Sequence, residues 1–501
     1  MSRTRIILTT IGIMLGLFMA SMEATVIATA MPTIVSQLGG LAIYSWAFSA
    51  YMLTSTTTVP IYGKLSDIYG RRPVFAVAMA LFLLGSVLCG LSQSMGQLVA
   101  FRALQGLGAG GIIPLVFIIV GDIFSFEQRA KMQGLFSGVW GVSSIVGPLL
   151  GGFLVDQISW HWVFYVNVFP GVIAVIMVWL AMQDSHVDNT VKPSIDYMGA
   201  VLLSATVVAL LLGLFEIETA VGWWLVGLAL VFLVALIVVE RRAADPILPL
   251  KLFRERLFSS ATGHGLLSGW AMFGSLSFVP LFVQAVLGTN ATDAGSTLTP
   301  MLLGWVIASI IGSRALLYVN YRLIILFGTA LLTIGAYMMT NASVDMSRLQ
   351  AMINLGFMGS GMGFAISPFL IAVQSAVRKR DMGTATSTLQ FSRNIGGTLG
   401  VSVMGVVLAT RLADGLTAAG LDPTAVSLDS LIDPVAKSSA TTAFDSTLQM
   451  ALGNAIQGVF WIAFIAAALA LAASFFAPSG RIASGEPEDI QEGQPAVVVS
   501  H

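Results

Sequence analysis

Charge is what this sequence has least of. Only 10% of its 501 residues are Asp, Glu, Lys or Arg, while 56% are hydrophobic, a balance that excludes a soluble globular chain with a solvated surface. Nucleic acid is not an expected partner. A single cysteine, Cys89, excludes an internal disulfide. The four histidines show no metal-ligand spacing, and the sequence contains neither a phosphate-binding loop nor a hydrolase elbow. An enzyme, a metal site, another cofactor and an ATP-driven motor are therefore not expected.

What the chain does have is apolar runs of roughly 18–25 residues, each long enough to cross about 30 Å of hydrocarbon as a helix. They recur from end to end and predict an all-α polytopic membrane protein with fourteen transmembrane helices. The first, around Ile6–Ala30, lacks a small-residue cleavage site and reads as a membrane helix rather than a leader. With the N-terminus placed inside, nineteen of the 24 basic residues fall on inner loops, among them Lys64, Arg71, Arg72, Arg241 and Arg378. Arg348, Arg411 and Lys437 fall outside. This is the bias that positive-inside sorting requires, and it predicts a multi-pass protein of the cytoplasmic membrane with both termini cytoplasmic. Arg102 and Arg393 remain, inside helices.

Gly63–Arg72 after the second helix has a weak echo in Gly312–Arg322 after the tenth. The offset divides the chain into a six-helix bundle over 1–185, two inserted helices over 186–245 and a second six-helix bundle over 246–478. Residues 411–453 read as an external polar loop with five aspartates, and 479–501 as a disordered cytoplasmic tail.

In Gly63-Lys-Leu-Ser-Asp67-Ile-Tyr-Gly70-Arg71-Arg72-Pro73, a glycine allows a tight turn, Asp67 can cap a helix or pair with a guanidinium, and Arg71 and Arg72 can bind carboxylates. An ordinary basic loop is the bland account. Asp122 and Glu127 can pair with this loop or form a solvated face. Glu23 is the one carboxylate well inside a first-half helix. An acid there survives by facing a cavity, finding a partner or holding a proton, and a proton-coupled carrier needs such a group. A structural hydrogen-bonding role, or reach to the outer interface, competes with that account. Arg102 lies at a compatible depth on the fourth helix, with Gln105 and Gly106 on its face; a permanently paired structural arginine is the alternative. Gly147, Pro148, Gly151 and Gly152 on the fifth helix suit close helix approach and a kink at a gate, or static packing. Tyr51, Gln105, Trp140, Trp270, Phe273, Gln390 and Asn394 are candidates to line a permissive substrate pocket. Trp160 and Trp162 read as interfacial anchors.

The Gly63–Arg72 stretch resembles the loop signature of the major facilitator superfamily. Three further stretches are similar to patterns of its fourteen-helix drug:proton antiporters, the QacA/EmrB type: Met22-Glu23-Ala-Thr25 through Pro32, Leu98 through Arg102-Ala-Leu-Gln105-Gly106-Leu-Gly108-Ala109, and Gly147-Pro148-Leu-Leu-Gly151-Gly152. Glu23 stands where that family usually has aspartate. The resemblance implies two six-helix bundles flanking a cavity, with two inserted helices. It implies a monomer that exports small amphipathic compounds, antibiotics among them, in exchange for protons through the lipid bilayer, with Arg102 taking part in proton transfer. A dedicated lipid or metabolite exporter of the same fold, and a non-transporting scaffold or sensor, are the competing readings.

Overall fold

The computed structural model describes residues 2–38, 46–183, 196–217, 219–243, 246–248, 250–289, 293, 296–378, 381–420 and 442–480. All regular structure among them is helical, as lipid demands of a backbone that must satisfy its own hydrogen bonds. In order, α1 is Arg3–Leu38, α2 Trp46–Tyr69, α3 Arg71–Gly90, α4 Met95–Ile123, α5 Phe126–Gln157, α6 the single turn Trp162–Tyr165, α7 Val168–Ala181, α8 Tyr197–Phe215 and α9 Ala220–Arg242. Then follow α10 Arg256–Leu281, α11 Thr299–Ala315, α12 Tyr321–Met339, α13 Arg348–Ala376, α14 Met382–Ala418 and α15 Thr442–Phe475.

Ten helical stretches among the described residues are long and apolar enough to cross a membrane. α2 is not one of them. Its run of threonines lowers its hydropathy, yet the hydroxyls return to the helix's own carbonyls: Thr54 Oγ1 donates to Ala50 O at 2.9 Å and Thr57 Oγ1 to Leu53 O at 2.7 Å.

Helix ends follow local chemistry. Ser94 accepts from Gln97 N at the start of α4, Asp196 from Gly199 N at α8 and Thr219 from Gly222 N at α9. Gly70, with φ 91°, makes the turn from α2 into α3, a conformation costly to any residue with a Cβ. The apolar stretch after α5 is interrupted between α6 and α7. Asn167 precedes α7 without capping it, because its side chain is engaged elsewhere. The polar loop expected over 411–453 is shorter than its composition implied. α14 continues to Ala418 and α15 begins at Thr442, since Leu412 and Leu416 pack with Ala451 and Leu452 in one apolar cluster. Residues 421–441, and the tail from 481, lie outside the described residues.

The chain forms two compact units. The first takes in the described residues up to Glu255 together with Ile371–Phe391; the second takes Arg256–Leu370 and the described residues from Ser392 onward. α8 and α9, expected as a separate inserted pair, belong to the first unit, where α9 packs on α8 and α8 on α2. The first unit has one core around Ile13, Phe75, Phe82 and Leu115 and another around Met22, Leu98 and Phe164. The second is built around Phe282, Met301, Leu332 and Phe460.

Between lipid-facing helices, close packing replaces the hydrophobic drive. α4 presents Gly106 and Gly110 to α2: a Cβ added at Gly110 would run into the Ser55 carbonyl oxygen and Thr58 Oγ1. Gly110→Val should therefore destabilise the first unit by about 1–3 kcal/mol or more, read as a lowered thermal midpoint in detergent. An unchanged midpoint would mean that α2 and α4 separate freely.

Candidate functional site

Five side chains from α1, α3, α4 and the α6–α7 junction close a hydrogen-bonded ring inside the first unit. Glu23 and Arg102 are each 1% exposed. Arg102 Nη1 donates to Glu23 Oε1 at 2.5 Å and to Gln105 Oε1 at 2.7 Å. Gln105 Nε2 donates to Ser86 Oγ at 3.2 Å; Asn167 Nδ2 donates to the same oxygen at 3.2 Å and to Glu23 Oε2 at 2.8 Å, which closes the circuit. Ser86 Oγ spends its own proton on Phe164 O at 2.9 Å. Arg102 Nε reaches Ala47 O at 3.2 Å, and its guanidinium lies 4.1 Å from the centre of the Tyr51 ring. Each partner raises the cost of losing any other, because the ring lies where an unpaired charge has no water to fall back on.

The helices set these positions. Gln105 is one turn beyond Arg102, so the two share a face of α4. α3 comes close enough to place Ser86 because Gly85 leaves room: a Cβ there would lie 2.5 Å from the Gln105 backbone. Chemically, the ring holds one carboxylate against one guanidinium in a low-dielectric pocket, so adding one proton to Glu23 changes the local charge from balanced to positive.

A second constellation surrounds Asp67. Its Oδ1 accepts from Arg71 Nη1 at 2.5 Å and from Gly383 N at 3.1 Å; its Oδ2 accepts from Thr384 N at 2.9 Å and Thr384 Oγ1 at 2.8 Å. Asp67 thus serves α14 as an N-cap drawn from α2, and it also suits the positive end of that helix. Arg71 continues to Ser66 Oγ and Asp122 Oδ2, both at 2.8 Å, so Asp122 joins the loop as one of its two sequence readings expected. Arg72 lies over the Trp179 ring, 4.2 Å from its centre. Gly63 abuts Ser387 and the Gly383 carbonyl, which leaves no room for a side chain. Asp67→Ala should remove the cap and strand two amides, costing about 0.5–2 kcal/mol and lowering the thermal midpoint clearly more than Thr384→Ala does. Equal small losses would refute the capping role.

The remaining candidates are dispersed. Gly147 and Gly151 are buried in α5, while the Pro148 side chain lies outside the described set. At Gly152, and at Gly138 earlier in α5, an added Cβ would meet nothing within 4 Å, so neighbouring helices do not require glycine at these two. Gln105, expected as a substrate contact, is spent inside the ring, and Tyr51 is spent under Arg102. Trp140 packs half-buried against the core of the first unit. Trp270 and Phe273 sit in the second unit against Gly400 and Gly397, which supply space for their rings. Gln390, in the first unit, and Asn394, in the second, are half-buried on α14. Trp160 is no interfacial anchor: it is buried, and its Nε1 donates to Gln37 Oε1 at 2.8 Å. Sequence reading missed Ser86 and Asn167. Asn167 carried a signal, as a lone amide in an otherwise apolar run; Ser86 carried none.

The sequence profile of the Major Facilitator Superfamily matches residues 13–401. The chain is 35% identical to the multidrug transporter protein MdtP of Bacillus subtilis (strain 168), over 97% of this chain and 95% of that protein. It is 40% identical to multidrug resistance protein 3 of the same organism, over 79% of this chain and 78% of that protein. Among solved structures, the human organic anion transporter MFSD10 (TETRAN) matches with a TM-score of 0.63 at 14% identity, covering 93% of this chain and 100% of that one. The proton:xylose symporter XylE matches with a TM-score of 0.62 at 12% identity, covering 96% and 97%. At such identities these two speak for the fold alone. The profile match, a full-length relative and an all-helical, lipid-suited architecture together make this chain a member of the major facilitator superfamily of membrane transporters.

Proposed function

We propose that this transporter is a proton-coupled antiporter of the fourteen-helix drug:proton group, the QacA/EmrB type. It exports amphipathic drugs or related small hydrophobic compounds by alternating access. Relatives named for multidrug transport and resistance support the substrate class. The observation that carries the coupling is the buried Glu23–Arg102 pair with Asn167 on the second carboxylate oxygen.

A carboxylate so placed is tolerable while the guanidinium faces it; when a conformational change draws them apart, a proton on Glu23 supplies the missing neutralisation. Arg102 then retains Gln105, the Ala47 carbonyl and the Tyr51 ring, so proton binding does not leave the arginine bare. A proton entering from outside and leaving inside is worth about 2.3 kcal/mol per 100 mV of membrane potential, which drives substrate the other way. In this reading residues 1–185 and 246–478 are the two moving bundles, 186–245 are the inserted helices, and the monomer sits in the cytoplasmic membrane with both termini inside. Glu23 and Arg102 couple the proton, Gly63–Arg72 controls the conformational change, and Gly147–Gly152 serves the gate.

The test is uphill movement of a fluorescent amphipathic dye into or out of proteoliposomes under an imposed pH gradient. Accumulation should collapse when a protonophore dissipates that gradient. Accumulation that persists would remove proton coupling from the mechanism.

A further inference from the structure

A pair of carboxyl groups lies at the open end of the α8–α9 hairpin. Asp196 caps α8, its Oδ1 accepting from Gly199 N at 2.7 Å. Glu240, in the last turn of α9 and 3% exposed, accepts from Leu248 N through Oε1 at 3.2 Å. The other oxygens, Asp196 Oδ2 and Glu240 Oε2, are both buried without a hydrogen-bond partner. The two groups converge on Gly199: a Cβ there would strike Asp196 Oδ2 and stand 3.0 Å from Glu240 Oε1.

We infer that Asp196 and Glu240 form a proton-binding site of their own, a carboxylic acid–carboxylate pair that takes up one shared proton from water and ties the base of the α8–α9 hairpin to the segment at 246–248. Two ionised carboxylates side by side, each with an idle buried oxygen, repel and leave two acceptors unsatisfied. One proton on either carboxyl removes that repulsion and turns an idle oxygen from acceptor into donor. Lys64 of α2 is the charged group that reaches Glu240 from the neighbouring helix, and its field opposes protonation without contributing a donor to Oε2. Arg241 and Arg242 follow on α9 but are exposed. Asp196 is half-buried, which gives the proton a route from solvent. The site is independent of Glu23, and it links the cytoplasmic proton concentration of the proposed topology to the chain just ahead of α10.

Infrared difference spectroscopy of the full-length protein in lipid nanodiscs, between acidic and alkaline buffer, reads the carbonyl stretch of a protonated carboxylic acid. The unsubstituted protein and Glu23→Gln should both show a titrating band that Glu240→Gln and Asp196→Asn lose. Either amide keeps the existing acceptor and donates to the opposite carboxylate, so both variants mimic the protonated pair and should keep their thermal midpoints. A band that survives in both variants would overturn the site. So would its removal from the unsubstituted protein by sodium or calcium at fixed pH, which would make a cation the occupant. Loss of dye accumulation in Glu23→Gln with the band retained separates failure of this site from failure of the transport mechanism.

Discussion

A Glu23→Gln protein in liposomes should equilibrate dye and never concentrate it. The unsubstituted protein should sustain about a tenfold dye ratio for each proton exchanged per imposed pH unit, since one unit is worth about 1.4 kcal/mol per proton. The variant leaves Arg102 without its counter-charge, at a cost in stability, but with Gln105, the Ala47 carbonyl and the Tyr51 ring still on the guanidinium, and the polar groups around position 23 can re-pair. Glutamine still offers an oxygen to Arg102 Nη1, and its new amide donor faces Asn167. Asn167 Oδ1 has no partner in the present arrangement; rotating that amide presents it as the acceptor. Both contacts of the side chain at position 23 are kept at the cost of the Asn167–Ser86 bond, while the titratable proton is gone. Exchange of labelled for unlabelled dye down its own gradient should therefore persist. Equal uphill accumulation by both proteins would dismiss Glu23 as the coupling group, and loss of exchange together with a lowered thermal midpoint would assign it a structural role instead.

The two charged members of the ring were legible because charge is so scarce: an acid in α1 and an arginine in α4 stand out against apolar neighbours. Their pairing was not legible. Residues 23 and 102 are brought together only by the packing of α1 on α4, and residues 86 and 167 join from α3 and the α6–α7 break. No local period encodes such meetings. Gln105 was legible as a neighbour of Arg102 on one face, but its helical spacing left open whether it would meet substrate or turn inward to Ser86. The Gly63–Arg72 turn was readable at Gly70, whose φ of 91° demands glycine, whereas the cap that Asp67 gives to α14 spans more than 300 residues of sequence and appears only in the folded chain. In α5 composition predicts close approach, and at Gly152 an added Cβ would meet nothing within 4 Å, because which neighbour reaches a given glycine is decided by packing and not by composition. The helical ends of the 411–453 segment were not legible because its aspartates were weighed without Leu412, Leu416 and Leu452, which pack in one apolar cluster.

Removing Arg102 alone should be among the most damaging single substitutions in the first unit. Arg102→Gln strips Glu23 Oε1 of its charged partner and leaves a carboxylate 1% exposed with Asn167 as its remaining donor in the ring. Breaking one side of a buried ion pair costs about 3–5 kcal/mol, far beyond the loss of an ordinary hydrogen bond, because the surviving charge keeps its desolvation penalty. The thermal midpoint of the purified protein in detergent should fall accordingly. Adding Glu23→Gln to Arg102→Gln removes the stranded charge and should restore most of the loss, although it discards a second native residue. Rescue of that sign is the signature of direct coupling, since substitutions that act independently add their damage. If the double variant is instead less stable than Arg102→Gln by as much as Glu23→Gln costs alone, then the two residues do not share an electrostatic fate. The 2.5 Å contact between them would then carry no weight in the mechanism.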